Sequence, residues 1–226
     1  MIHILMSRGI LGHPRLVEHV KPFMTGRQKA AIIALSYFDK HLGDPKAYLE
    51  YYAPGSAYHQ KMMDSFAPYG IQEKDITWVL DHQDTTASAT KKIKEADILY
   101  LPGGSPTELM ARLKALAIKD AIEAHQGVLV GSSAGAMVQF NRYHITPDHD
   151  FHRFSDEEGL DLLKGFAIEV HYQRRKKQKK ALRKVRREQG IPIYGIPDEG
   201  AIIVTNGDIT LIHPARQLYT PKGVVR

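Results

Sequence analysis

The chain has 226 residues, of which 43% are hydrophobic and 25% charged, with a net charge of +6 and no cysteine. That length supports a substantial core, the composition excludes a disordered chain, and no apolar run approaches the roughly 18 residues of a membrane span. The absence of cysteine removes disulfides, thiolate metal sites and any cysteine nucleophile.

Ile2–Ser7 reads as a first strand, with no basic leader before it, so a cytoplasmic protein is expected. Pro14–Met24 carries Leu16, Val17, Val20 and Phe23 at helical spacing, and Gly26 follows as a stop. Ala30–Leu35 is a second buried strand, leading into Ser36-Tyr37-Phe38. Pro45–Pro68 is rich in tyrosine and reads as helix, interrupted at Pro54-Gly55. Its tyrosines fit amphipathic packing better than a pocket wall. Ile76–Leu80 is a third strand and Thr85–Glu95 the helix after it. A fourth strand, Asp97–Leu101, ends at Pro102-Gly103-Gly104-Ser105-Pro106, where backbone N–H groups can face a ligand before the helix Thr107–Ala124. Strand and helix alternate, which predicts an α/β fold: a doubly wound, mostly parallel sheet with helices on both faces.

The fifth strand, Val128–Val130, runs into Gly131-Ser132-Ser133-Ala134-Gly135. This fits G-x-S-x-G, the sharp strand-to-helix turn that presents a serine in strained geometry. Small residues are needed because the chain folds back so tightly that larger neighbours would collide. A helix beginning there also turns free N–H groups toward any anion that forms.

Asn141–Glu158 then reads as a polar loop. Its His144, Asp148, His149, Asp150 and His152 lack metal-ligand spacing, so no metal is expected. Phe166–Val170 is a strand ending at His171. The run Arg174–Arg187 is mostly lysine and arginine with a thin stripe of Ala181, Leu182 and Val185, a pattern that suits a solvated helix face. Contact with a polyanion is the other reading, and the lack of aromatic residues inside the run counts against stacking on nucleic-acid bases. Short strands at Ile191–Tyr194, Ala201–Val204 and Ile209–Ile212 follow, the last two joined by Asn206-Gly207, so the chain is predicted to close with a β-hairpin. With no repeat and no low-complexity linker, one domain is the simplest reading.

Ser133 and His171 both stand at strand ends. A serine hydroxyl needs a base, which histidine supplies, and the histidine needs a carboxylate to hold its tautomer. Asp198 and Glu199, in the loop after another strand, can provide one. These segments resemble the peptidase E group of serine hydrolases, comprising aspartyl dipeptidases and cyanophycinases on a class I glutamine amidotransferase-like fold. The likeness is carried by Leu101-Pro102-Gly103-Gly104-Ser105, Gly131-Ser132-Ser133-Ala134-Gly135-Ala136, His171, and Gly195-Ile196-Pro197-Asp198-Glu199-Gly200-Ala201.

The resemblance implies Ser133 as nucleophile, His171 as base, and the N–H groups of Gly104 and Ala134 as the oxyanion hole. For the acid it implies Glu199 first, with Asp198 as its neighbour and Asp148 as a further alternative. Ser132 should point away from the turn. A short peptide is implied as substrate, one with an N-terminal acidic residue or a branched isoaspartyl bond, with no cofactor. An acidic substrate needs a cation beside the site, and Arg142 is the candidate. The competing reading from another class is a non-catalytic protein binding nucleic acid through Arg174–Arg187. No membrane partner is expected, and a homodimer is left open.

Overall fold

Alternation within the apolar runs builds the main sheet. Successive strand residues point to opposite faces. Ile4, Ile32, Tyr100 and Val130 therefore collect on one side while Leu5, Ile33, Leu101 and Leu129 collect on the other, all of them buried. The computed structural model describes residues 1–225. In it β1 (Ile2–Met6), β2 (Ala30–Ile33), β3 (Ile76–Val79), β4 (Ile98–Leu101) and β5 (Val128–Ser132) run parallel, in the spatial order β1-β5-β4-β2-β3.

The chain then leaves this sheet. β6 (Arg142–Ile145) and β7 (Ser155–Glu158) pair as a separate antiparallel ribbon, so the stretch read as a loop carries strand structure. Next come β8 (Ala167–Val170) and β9 (Ile193–Ile196), a parallel pair. β10 (Ala201–Thr205) and β11 (Asp208–Ile212) return to the main sheet and extend it antiparallel beyond β1. Asn206 and Gly207 between them have φ of 53° and 88°, as a type I′ hairpin turn requires. Finally β12 (Arg216–Thr220) and β13 (Gly223–Val224) complete a second sheet in the order β13-β12-β9-β8.

Helices cover both faces of the main sheet. They are α1 (Pro14–Val20), α2 (Asp39–Leu42), α3 (Pro45–Tyr52), α4 (Ala57–Phe66), α5 (Thr86–Glu95), α6 (Pro106–Ala115), α7 (Lys119–Glu123), α8 (Ala134–Met137) and α9 (Lys176–Gln189). Leu16 and Val20 of α1 and Phe66 of α4 pack on the Ile4 side. Ile93 of α5, Leu113 of α6 and Ala136 of α8 pack on the Leu5 side. The predicted helix Thr107–Ala124 is two helices, because Ala117 adopts φ of 50°. The tyrosines of α3 pack inward: Tyr48 and Tyr52 are buried with Tyr37 in a cluster of their own.

The strand that carries His171 does not join the main sheet as a sixth parallel member. β8, α9 and β9 form a βαβ unit whose apolar stripe, Leu182 and Val185, packs against Ala167, Ile193 and Leu218. No helix among the described residues is long and apolar enough to cross a membrane.

Candidate active site

Open α/β sheets bind ligands beyond the carboxyl ends of their strands, and here the ends of β1, β2, β4 and β5 converge. Gly131 and Gly135 are forced by the tightness of the turn after β5. A Cβ on Gly131 would collide with the Gly135 carbonyl oxygen, and one on Gly135 with the Leu101 carbonyl oxygen. Between them Ser133 is held at φ 49°, ψ −112°, outside the ordinary regions for a side-chain-bearing residue. Its N–H donates to the Met6 carbonyl at 2.8 Å, which ties the turn to the end of β1. Ser132, as expected, faces the other way, and its hydroxyl accepts from Tyr100 at 3.3 Å.

His171 comes to Ser133 from the second sheet. Its Nε2 lies 3.0 Å from Ser133 Oγ, and its Nδ1 lies 2.6 Å from Asp198 Oδ1. A carboxylate can only accept, so Nδ1 carries the proton toward Asp198, and Nε2 is left to accept from the serine hydroxyl. The histidine is fixed through its backbone, which adopts φ of 51°. Its N–H donates to Ser7 Oγ at 2.9 Å, and Ser7 in turn donates to the Ile196 carbonyl at 2.6 Å. Its carbonyl accepts from Gln178 Nε2 at 2.9 Å.

Asp198 therefore takes the position beside the histidine, and Glu199 does not. The Glu199 side chain is 74% exposed and, among the described residues, pairs only with Arg15, at 3.5 Å. The two acids are the central residues of a turn closed by the Gly200 N–H on the Pro197 carbonyl at 2.9 Å, and of the pair it is Asp198 that faces His171. Asp148 lines the same cleft but spends Oδ1 on the N–H groups of Asp150 and Phe151, each at 2.8 Å. It caps its own turn and makes no bond to His171. Burial pushes the Asp198 carboxyl up, but the bonds and charges of His171 and Arg8 outweigh that and hold it below the usual carboxylate range. Arg8 Nε approaches Asp198 Oδ2 at 2.8 Å.

The glycine loop after β4 faces the serine. Gly104 has φ of 146°, and a Cβ there would collide with the Ser36 carbonyl oxygen. Ser36 holds the loop from beneath, its hydroxyl donating to the Gly103 carbonyl at 2.8 Å and its carbonyl accepting from Ser105 N–H at 2.6 Å. The N–H groups of Gly104 and Ala134 donate to no acceptor among the described residues. Two unused donors flanking a serine are what a developing oxyanion needs.

Ser133, His171 and Asp198 open onto a cleft of about 840 Å³, large enough for a short peptide. Arg8, Arg175, Lys176 and Lys177 line it, so the start of the basic run borders the site. Arg142 does not. It pairs with Asp156 at 2.8 Å across the β6–β7 ribbon and borders a separate cavity with Glu158 and Asp161. Arg8, Ser7 and Gln178 carry no motif, and their one sequence signal is proximity to a strand end or to His171.

A family model described as peptidase family S51 matches residues 45–212. Two solved structures are similar in fold. One, from Listeria monocytogenes EGD-e, is assigned to peptidase E and has a TM-score of 0.64 and 18% identity, covering 96% of this chain and 98% of its own. The other is a peptidase from an acI-B1 Actinobacterium, with a TM-score of 0.62 and 18% identity, covering 97% and 94%. No curated protein matches the sequence.

Proposed function

This chain belongs to peptidase family S51 and is a serine peptidase, and from that premise we propose that Ser133, His171 and Asp198 are its catalytic triad, acting on short peptides with an N-terminal acidic residue. The observation that carries the reading is the continuous relay from Asp198 through His171 to Ser133, at 2.6 and 3.0 Å. Ser133 Oγ attacks the scissile carbonyl carbon while His171 Nε2 takes its proton. The carbonyl oxygen becomes an oxyanion between the Gly104 and Ala134 N–H groups. The intermediate collapses, His171 gives its proton to the departing amine, and an acyl-enzyme remains on Ser133. Water, deprotonated by His171, attacks the acyl carbon and restores the serine. Asp198 holds Nδ1–H throughout and balances the imidazolium charge.

The preference for an acidic residue is supported by the cleft itself. Its border carries Arg175, Lys176 and Lys177, none of them paired with a carboxylate among the described residues, whereas Arg8 is engaged by Asp198. These cations take the role first given to Arg142.

Labelling by a fluorophosphonate probe tests the triad. The wild type is expected to label, and Ser133→Ala and His171→Ala to abolish labelling. A folded wild type that does not label, or a His171→Ala variant that labels at the wild-type rate, would count against the reading. A dipeptide panel comparing aspartyl, isoaspartyl, leucyl and lysyl N-termini then tests specificity, with the aspartyl members expected to be cut fastest.

A further inference from the structure

One of the two donors facing Ser133 has no local means of keeping its direction. The Gly104 N–H and the Gly103 carbonyl belong to the same trans peptide unit, which points them opposite ways. Whatever anchors the carbonyl therefore aims the N–H. With glycine on both sides of the unit, no side chain limits how it turns.

The anchor is Ser36, which follows β2 and is fully buried beneath the loop. Its hydroxyl donates to the Gly103 carbonyl at 2.8 Å. Its own carbonyl accepts from Ser105 N–H at 2.6 Å and fills the space of a Gly104 Cβ. A single residue thus grips the loop on both sides of the Gly104 N–H. A bond to the carbonyl also polarises the peptide unit, so the N–H beyond it becomes a stronger donor. Ser36 is in turn held by Arg112 of α6. Nη1 of that arginine donates to the carbonyls of Leu35 and Tyr37, the residues before and after Ser36, at 2.9 and 2.8 Å. The guanidinium pairs with Asp81 at 3.2 Å and lies over the Tyr37 ring at 3.5 Å.

We propose that Ser36 is a positioning residue for the oxyanion hole, aiming and strengthening the Gly104 N–H from beneath, with Arg112 as its brace. The proposal rests on the serine peptidase reading above. A donor matters most once the scissile oxygen carries charge, and little while substrate merely occupies the cleft. Loss of the Ser36 hydroxyl should therefore act on kcat and leave KM nearly alone.

The test compares wild type with Ser36→Ala on a cleaved dipeptide, and adds two inhibitors matched to that substrate. One is the peptide aldehyde, whose adduct with Ser133 carries an oxyanion; the other is the peptide alcohol, which forms no adduct. Ser36→Ala should lower kcat about 10–100-fold, less than the roughly 10²–10³ of losing the donor outright, with KM within about twofold. Aldehyde affinity should fall by the same factor as kcat/KM, while alcohol affinity holds. A kcat within about twofold of the wild type overturns the proposal. So does an equal loss of aldehyde and alcohol affinity, the mark of a merely structural role. Fluorophosphonate labelling of the wild type separates the two readings: a labelled enzyme with an unaffected variant sinks the role of Ser36 alone, and an unlabelled one sinks both. Should Ser36→Ala fail to fold, Ser36→Cys, nearly the same shape with only a weak S–H donor, takes its place under the same criteria.

Discussion

Asp198 and Glu199 are chemically near-equivalent neighbours, and only the direction of each side chain separates them. Asp198→Asn would leave His171 in place but remove the acceptor that fixes its tautomer. We expect kcat to fall about 10³–10⁴-fold, while Glu199→Gln, which alters one exposed contact with Arg15, should stay within about twofold. Steady-state rates on a cleaved dipeptide measure both. The depressed Asp198 carboxyl also sets an acid limit. Its folded value lies below the unfolded value of about 3.9, so its contribution to stability is complete above that value and disappears as pH falls through the folded one. Urea midpoints between pH 5 and 2.5 should show a steeper acid limb in the wild type than in Asp198→Asn.

Two short elements position the chemistry. In the loop after β4, Gly104 can be nothing larger, because the Ser36 carbonyl oxygen occupies the space of a Cβ and φ is 146°. Gly104→Ala must displace one of the two N–H groups proposed to bind the oxyanion. It is expected to lower kcat about 10²–10³-fold, the usual cost of losing such a donor, with a smaller change in KM. At the start of α9, Gln178 is buried, donates to the His171 carbonyl and accepts from the N–H groups of Gln173 and Arg175. Gln178→Ala strands these groups, and a loss of about 1–3 kcal/mol in unfolding free energy is expected, together with slower fluorophosphonate labelling as His171 loosens. The basic run was legible as a helix from its apolar stripe. That its first turn borders the cleft was not, since the stripe specifies which side is buried and says nothing of what lies at the end.

Across the whole molecule, buried histidines link stability to pH. His3 on β1 bonds Gln139 at 2.9 Å, and Gln139 Nε2 donates to the Gly135 carbonyl of the serine turn. Burial lowers the His3 pKa, the Gln139 bond opposes the shift, and the N-terminal charge adds to it. Burial lowers that of His125 as well, against the opposing pull of the nearby Asp97. Below the unfolded value of about 6.5, the unfolded chain binds more protons than the folded one, so stability falls as pH drops toward the depressed folded values. Chemical denaturation should show a falling midpoint from pH 7 to 5, and His3→Gln should flatten part of that slope.

The sequence by itself determined the strands of the main sheet, both helical layers, the β10–β11 hairpin, and the serine and histidine that the fold brings together, but not β12 and β13 beyond them. These are local matters: alternating apolar runs, a G-x-S-x-G turn that no large residue could make, and an Asn-Gly pair that needs positive φ. It also carried the family likeness. The tertiary structure alone decided which of two adjacent acids meets His171, that Arg142 lies at another cavity, and that β8 starts a second sheet. It likewise brought Arg8 and Glu169 to the cleft and Ser7 to the backbone of His171. Those outcomes turn on which way a loop side chain faces and on which strand finds which partner. Contacts between residues far apart in the chain settle both, and composition and periodicity do not record them.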